Sequence, residues 1–191
     1  MLHYFIFSYK EHRIVYKILF TIISIIAIIA SSVYAEETAT TFILSTNAFL
    51  DQGALPVLYT CDGKDVSPQF EWAGLPAKTQ SLVFIMSDAK TPSGIFYHWV
   101  LYNIPTSTTH LPQGTDKPTG SLIGKNSFGK LQYNGPCPPK GSAHSYEFTL
   151  YALDSKLTLP AEADAKTVLD TIQKHMLGKT QLTAVYSRWI R

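Results

Sequence analysis

YNGPCPPKGSAHSY, residues 133–146, is a loop whose shape is set by residue type, and a strand-like run follows it at once. Proline fixes φ and glycine tolerates positive φ, so the core of this stretch, GPCPPKG at 135–141, is a shaped turn. Pro136, Pro138 and Pro139 have no N–H to give a ladder and cannot serve a central strand. Such a loop either joins two strands or holds its groups against a ligand. Taken alone, the connecting role is the simpler reading. A second stretch, SDAKTPSGIFYHW at 87–99, makes the binding role worth testing.

The runs around these two stretches set the fold class. Residues 81–86, SLVFIM, form a continuous apolar run of strand length, the pattern of a central strand covered on both faces. Residues 95–104 read as the next strand. Period-2 alternation places His98, Val100 and Tyr102 on one face and Tyr97, Trp99 and Leu101 on the other. Residues 145–153 form a further strand, and residues 182–190 the last. Upstream, 42–49 and 55–60 read as strands separated by the Asp51-Gln52-Gly53 turn. Phe70 and Trp72 share a face of another strand, which Gly74-Leu75-Pro76 ends. Residues 105–127, with Pro105, Pro112, Gly114, Pro118, Gly120 and Gly124, read as a long irregular connection, a kind of segment that often carries function. One helix is expected. Asp164 caps it, Val168, Leu169, Ile172 and Met176 give a stripe suited to core packing, and Gly178 stops it. The expectation is a mainly β domain with antiparallel strands and a late helix.

The N-terminus has a different character. Residues 14–30 are almost wholly apolar, Lys10, Arg13 and Lys17 precede or open the run, and Val33-Tyr34-Ala35 offers small residues at −3 and −1. This is the pattern of a secretory signal peptide cut after Ala35. An uncleaved anchor is the alternative, because the run approaches the roughly 17–20 residues that span a bilayer. The expected organisation is a signal peptide at 1–35 and one domain at 36–191, in the periplasm or secreted. Removing the leader takes three of the 16 Lys and Arg and one of the 14 Asp and Glu, leaving 13 of each and no net charge. That argues against nucleic-acid or membrane-surface binding through net charge. The two cysteines, Cys61 and Cys137, both follow the leader, and export would place them where disulfides persist. A bridge would close a loop of about 76 residues, worth about 4–5 kcal/mol in the chain-entropy model. Two free buried thiols are the alternative.

Candidate chemistry rests on Asp88, His98, His144 and Tyr146 beside the Gly-Pro loop. Each has a simpler role open to it: Asp88 as a turn cap, His98 as a satisfied core histidine, His144 as a surface residue. No H-x-x-H, H-E-x-x-H or C-x-x-C spacing offers metal ligands, no G-x-S-x-G marks a nucleophile, and no Gly-rich phosphate loop of P-loop or dinucleotide-binding type is present. No cofactor or metal is expected.

In order, however, the residues form a pattern: an apolar strand, Ser87-Asp88-Ala89-Lys90-Thr91-Pro92, His98-Trp99, Tyr102-Asn103-Ile104-Pro105, Gly135 to Gly141, His144-Ser145-Tyr146 and Leu150-Tyr151-Ala152-Leu153. This resembles the phosphatidylethanolamine-binding protein family, also called Raf kinase inhibitor-like proteins, and in particular its bacterial branch with exported paired-cysteine forms. The resemblance runs from about residue 42 to 191. It implies two packed antiparallel sheets with a C-terminal helical region and a small pocket for phosphate-like head groups. It implies ligand contacts from Asp88 and Pro92, which match the first Asp and final Pro of D-P-D-A-P, and from the pocket histidine His98. Gly135, Pro138 and Pro139 match the G-x-P-P-K-G region, and His144 and Tyr146 match H-R-Y. Cys61 and Cys137 match the positions bridged in exported relatives. Ala89, Lys90, Thr91 and Ser145 depart from these motifs, so the pocket's rim is altered.

Two imidazoles and a tyrosine hydroxyl suit an oxyanion, and Asp88 beside them is expected to orient a histidine and raise its pKa. The expected function is therefore an exported binding or regulatory module for a phosphate-like anion, a phospholipid head group, or a protein partner. A small hydrolase of phosphate or carboxyl esters is the alternative. A scaffold that binds protein through 105–127 is a third reading. The sequence leaves the oligomeric state open.

Overall fold

The computed structural model describes residues 41–92 and 94–189. The expected leader at 1–35 lies outside the described residues, as does Ile190 at the end of the expected last strand. Among the described residues the strands are β1 (Ile43–Ser45), β2 (Gly53–Ala54), β3 (Phe70–Ala73), β4 (Ser81–Thr91), β5 (Gly94–Ile104), β6 (His110–Leu111), β7 (Leu122–Ile123), β8 (Ala143–Leu153) and β9 (Met176–Ser187), with one α-helix, α1 (Ala165–Ile172), between the last two. They form two sheets, a three-stranded one in the order β1-β3-β6 and a six-stranded one in the order β2-β9-β8-β4-β5-β7. Every pairing is antiparallel except β2 with β9, which is parallel. Among the described residues the architecture is mainly β with two sheets and one short α-helix, as the apolar runs and the family resemblance imply.

The continuous apolar run of β4 is explained by cover on both faces. Leu82, Phe84 and Met86 join a core with Leu44, Phe70 and Trp72 of the small sheet, whereas Val83 and Ile85 pack with Val168 and Ile172 of α1. Phe70 stands 4.9 Å from the ring of Phe84 and 5.0 Å from that of Phe148. Burying large apolar side chains of this kind contributes about 1.5–3 kcal/mol each. Asp164 caps α1 as expected, its carboxyl accepting from Thr167 N at 2.8 Å.

Several boundaries differ from the expected ones. The first strand is only Ile43–Ser45, because the Thr46 hydroxyl accepts from Ala48 N and bends the chain. The expected strand at 55–60 is a single 3-10 turn, Val57–Tyr59, following Pro56, with two residues of strand before it. The segment 105–127 is not wholly irregular, since β6 stitches it to β3 and β7 to β5. The helix ends at Ile172, and Met176 and Gly178 belong to β9, which begins six residues before the expected strand. Pairing with β8 from Ala143 to Leu153 overrides the helical spacing of Met176.

Candidate functional site

Three of the site residues arrive by simple alternation. In β4 the face that carries Leu82, Phe84 and Met86 reaches Asp88 next. In the register of β4 with β8, Asp88 lies opposite Tyr146, Met86 opposite Phe148 and Phe84 opposite Leu150. His144, two residues before Tyr146, lies on the same face of β8.

His98 arrives by a break in alternation. Met86 pairs with Trp99, Ser87 with Tyr97 and Asp88 with Phe96, so β5 carries one extra residue between Trp99 and Tyr97. That bulged residue is His98. Bulges of this kind re-aim a side chain next to functional sites. Alternation alone would place His98 beside Val100 and Tyr102. Instead Tyr97 packs against their cluster, and the His98 ring lies 5.1 Å from Phe96 and 5.3 Å from Tyr146.

The four residues line one cavity of about 570 Å³. Asp88 Oδ2 accepts from His144 Nδ1 at 2.5 Å, and Asp88 Oδ1 accepts from Lys90 N at 2.8 Å. Both carboxyl oxygens are therefore engaged, and Asp88 orients the His144 ring with Nε2 as its remaining nitrogen. His98 is 4% exposed, and its Nδ1 lies 2.7 Å from the carbonyl of Asn134. A carbonyl only accepts, so Nδ1 carries the proton and Nε2 holds a lone pair in the neutral ring. Burial is the largest influence on His98 and holds it below the ordinary 6.5, outweighing the bond to Asn134 and the charges of Asp88 and Asp65. The expected raising of a histidine by Asp88 is thus reversed at His98: desolvation of the imidazolium wins over a nearby carboxyl. Burial, together with Asp88, also pushes the Tyr146 hydroxyl well above its ordinary value, so it stays a neutral donor.

The Pro-rich loop forms one wall. Cys137, Pro138 and Pro139 line the cavity, and Pro92 and Lys90 reach it from the end of β4. Gly135, expected among the ligand contacts, stands behind that wall rather than in it. Its N–H is taken by Asp65 Oδ1 at 2.6 Å, and a Cβ there would meet Tyr59 O at 2.2 Å, so its role is close approach. The loop is tied on three sides. Cys61 and Cys137 are bonded, with Cα atoms 5.4 Å apart, and Cys61 N donates to Pro136 O at 3.1 Å. Gly141 N donates to Arg188 O at 2.6 Å, and the Arg188 guanidinium grips Asp62 on the disulfide's other side at 2.8 Å.

A second, aromatic part of the lining was not expected. Phe96 and Phe128 line the cavity with ring centroids 4.8 Å apart. Phe128 sits on a turn organised by buried Asn126. Its amide oxygen accepts from Phe128 N and Lys130 N, each at 3.0 Å, and its NH2 donates to Asn134 Oδ1 at 2.8 Å and His98 O at 3.3 Å. Asn126 therefore shapes the turn that carries Phe128 and the segment whose carbonyl holds His98. The sequence signal for Phe128 is slight: one aromatic residue in the polar turn Asn126-Ser127-Phe128-Gly129-Lys130.

The model of the phosphatidylethanolamine-binding protein family matches residues 45–187. A UPF0098 protein of Methanothermobacter thermautotrophicus is 44% identical over 149 residues, covering 76% of this chain and 98% of that protein. The UPF0098 protein YbhB of Escherichia coli is 37% identical over 133 residues, covering 66% of this chain and 84% of YbhB. The crystal structure of Escherichia coli YbcL, described as a member of the mammalian PEBP family, superposes with a TM-score of 0.72 at 29% identity, covering 78% of this chain and 99% of YbcL. With the order of its motifs, its two-sheet fold and these matches, the chain belongs to the phosphatidylethanolamine-binding protein family.

Proposed function

We propose that the cavity binds a small phosphate-like anion and that the protein is an exported binding or regulatory module. The observation that carries this is the convergence of His98, His144 and Tyr146 on one cavity that Lys90 also lines. A cation at about 4 Å from an anion contributes about 1 kcal/mol in bulk water and more where water is partly excluded. Export is supported by the leader pattern at 1–35 and by the Cys61–Cys137 bond, which suits an oxidising compartment.

The imidazole tautomers set the pH sense. Nε2 of neutral His98 is an acceptor, so an oxyanion meets a proton there only if the ligand brings a hydroxyl or the ring takes up a proton. Burial opposes that uptake at His98 and outweighs Asp88 and Asp65, which favour it, so the ring charges only below the ordinary 6.5. Affinity therefore rises as pH falls below the ordinary histidine value of about 6.5. The test is calorimetric titration of a phosphomonoester into wild type and Lys90→Asp at low and high salt. Wild type is expected to bind more tightly at low salt and Lys90→Asp more weakly, with the two converging at high salt, where exposed charges are screened. No saturable binding under any of these conditions would overturn the reading.

One observation favours the hydrolase alternative. The bond from His144 Nδ1 to Asp88 is the arrangement that holds an imidazole as a general base. Against it, Ser142 in the wall gives its hydroxyl to Pro139 O at 2.7 Å and so is not paired with His144 as an activated nucleophile. Turnover of a nitrophenyl ester panel, abolished in His144→Ala, would favour hydrolysis.

A further inference from the structure

We propose that the ligand of this cavity is an aromatic phosphomonoester, its phosphate on the histidine side and its ring against Phe96 and Phe128. The inference rests on the anion reading above and adds to it the class of the organic part.

Volume is the first argument. At roughly 30 Å³ per water, a cavity of about 570 Å³ holds about twenty waters, whereas a bare oxyanion displaces only a few. The volume lies instead in the range of about 300–1,000 Å³ that accommodates whole organic molecules. Phosphate alone would leave most of it to water, whereas an organic group attached to the phosphate could fill it.

The division of the lining is the second argument. The hydrogen-bonding groups are gathered at one side, on Asp88, His98, His144 and Tyr146. Beyond them, with Lys90, Thr91 and Ser142 the other polar residues of the lining, the wall is carbon: the rings of Phe96 and Phe128 and the prolines Pro92, Pro138 and Pro139. An ester with a polar organic part would leave its hydroxyls facing this wall without partners, at a cost in desolvation.

The third argument is that the aromatic wall is rigidly built. Phe128 is 47% exposed, yet it is not carried on a loose loop. Asn126 accepts from its N–H, Gly129 follows it at φ +75°, and its ring meets Phe96 edge to face at 77° and His98 at 5.9 Å. Rings set edge to face continue the same packing when a further ring is added, because the edge of one is drawn to the face of the next. The fold thus holds an apolar ring at the mouth of a polar site, where a surface loop would ordinarily carry a solvated side chain.

Calorimetry with phenyl phosphate, glycerol 3-phosphate and inorganic phosphate tests this, on wild type and on Phe128→Ala, whose exposed position leaves the core intact. Wild type is expected to bind phenyl phosphate about tenfold more tightly than glycerol 3-phosphate, the scale of one aromatic contact. Phe128→Ala is expected to bring the two esters within about twofold of each other while inorganic phosphate binds as before. Equal affinity of wild type for the two esters would overturn the aromatic assignment and leave the anion reading standing. Loss of inorganic phosphate together with phenyl phosphate in Phe128→Ala would also overturn it, since the ring would then be supporting the site rather than selecting the ligand. Failure of all three probes to bind wild type would overturn both readings.

Discussion

The same face of the same three strands is sealed at one end and open at the other. At Leu82, Phe84 and Met86 in β4, with Leu101 and Trp99 in β5 and Phe148 and Leu150 in β8, side chains are fully buried beneath the small sheet, Phe70 lying over Phe84 and Phe148. One pleat further on, the same rows hold Asp88, His98, His144 and Tyr146, and their cover changes from a sheet to the Pro-rich loop and Phe128. The backbone pattern carries across the boundary with one exception, the bulge at His98. The difference teaches that this cavity is the core continued past its cover. Strand periodicity delivers its side chains, while the loop, the disulfide and Asn126 decide that space remains above them.

If the two ends differ in this way, damage to each should read out differently. The largest effect is expected at the sealed end. Phe84→Ala, in a fully buried ring cluster, should cost about 3–5 kcal/mol in urea unfolding, the range for large-to-small changes in cores. A loss below about 2 kcal/mol would mean that the small sheet does not clamp this face. At the open end, Cys61→Ala releases the loop that Cys137 anchors. It should cost about 2–5 kcal/mol, and it should also weaken phosphate binding, because Cys137 lines the cavity. Equal phosphate affinity in wild type and Cys61→Ala would mean that the wall stands without its bond.

The smallest effect is one of pH. Because burial holds His98 below its ordinary 6.5, the unfolded chain takes up a proton at a higher pH than the folded one. Stability is then fully present above about 6.5 and declines as pH falls from there toward the folded value, by at most about 1.4 kcal/mol per pH unit for one proton. Urea midpoints of wild type should fall across this window, and those of His98→Gln should fall less. Identical profiles would show that His98 is not the group responsible.

How far the residues themselves foretold this arrangement depends on distance along the chain. The two-faced strand was legible in residues 81–86, because sheet cover on both sides demands a continuous apolar run. Asp164 was legible as a cap because its partner Thr167 is three residues away. Asp88, Pro92, His98, Pro138, Pro139, His144 and Tyr146, which the motif order names together, line one cavity. Three features were not legible. The bulge at His98 breaks the fixed period on which any alternation argument rests. Asp65 takes the Gly135 amide from 70 positions away, a pairing set by tertiary approach alone. Phe96 and Phe128 carry no chemistry by residue type, and only their convergence across 32 positions makes them a wall. The late start of the expected final strand has a similar origin, since pairing with β8 fixes where β9 begins.

The central claim is that the two imidazoles of the open end receive an anion. Long-range proton–nitrogen NMR of the histidine rings tests it most directly, with inorganic phosphate added at a pH near 6.5, the midpoint of an ordinary histidine. The free protein is expected to show His98 as the neutral Nδ1–H tautomer, bonded to Asn134. Saturating phosphate should move the Nε2 resonances of His98 and His144 together, along one binding curve. Phosphate that saturates the protein while both rings keep their free-state resonances would place the anion elsewhere and contradict the account.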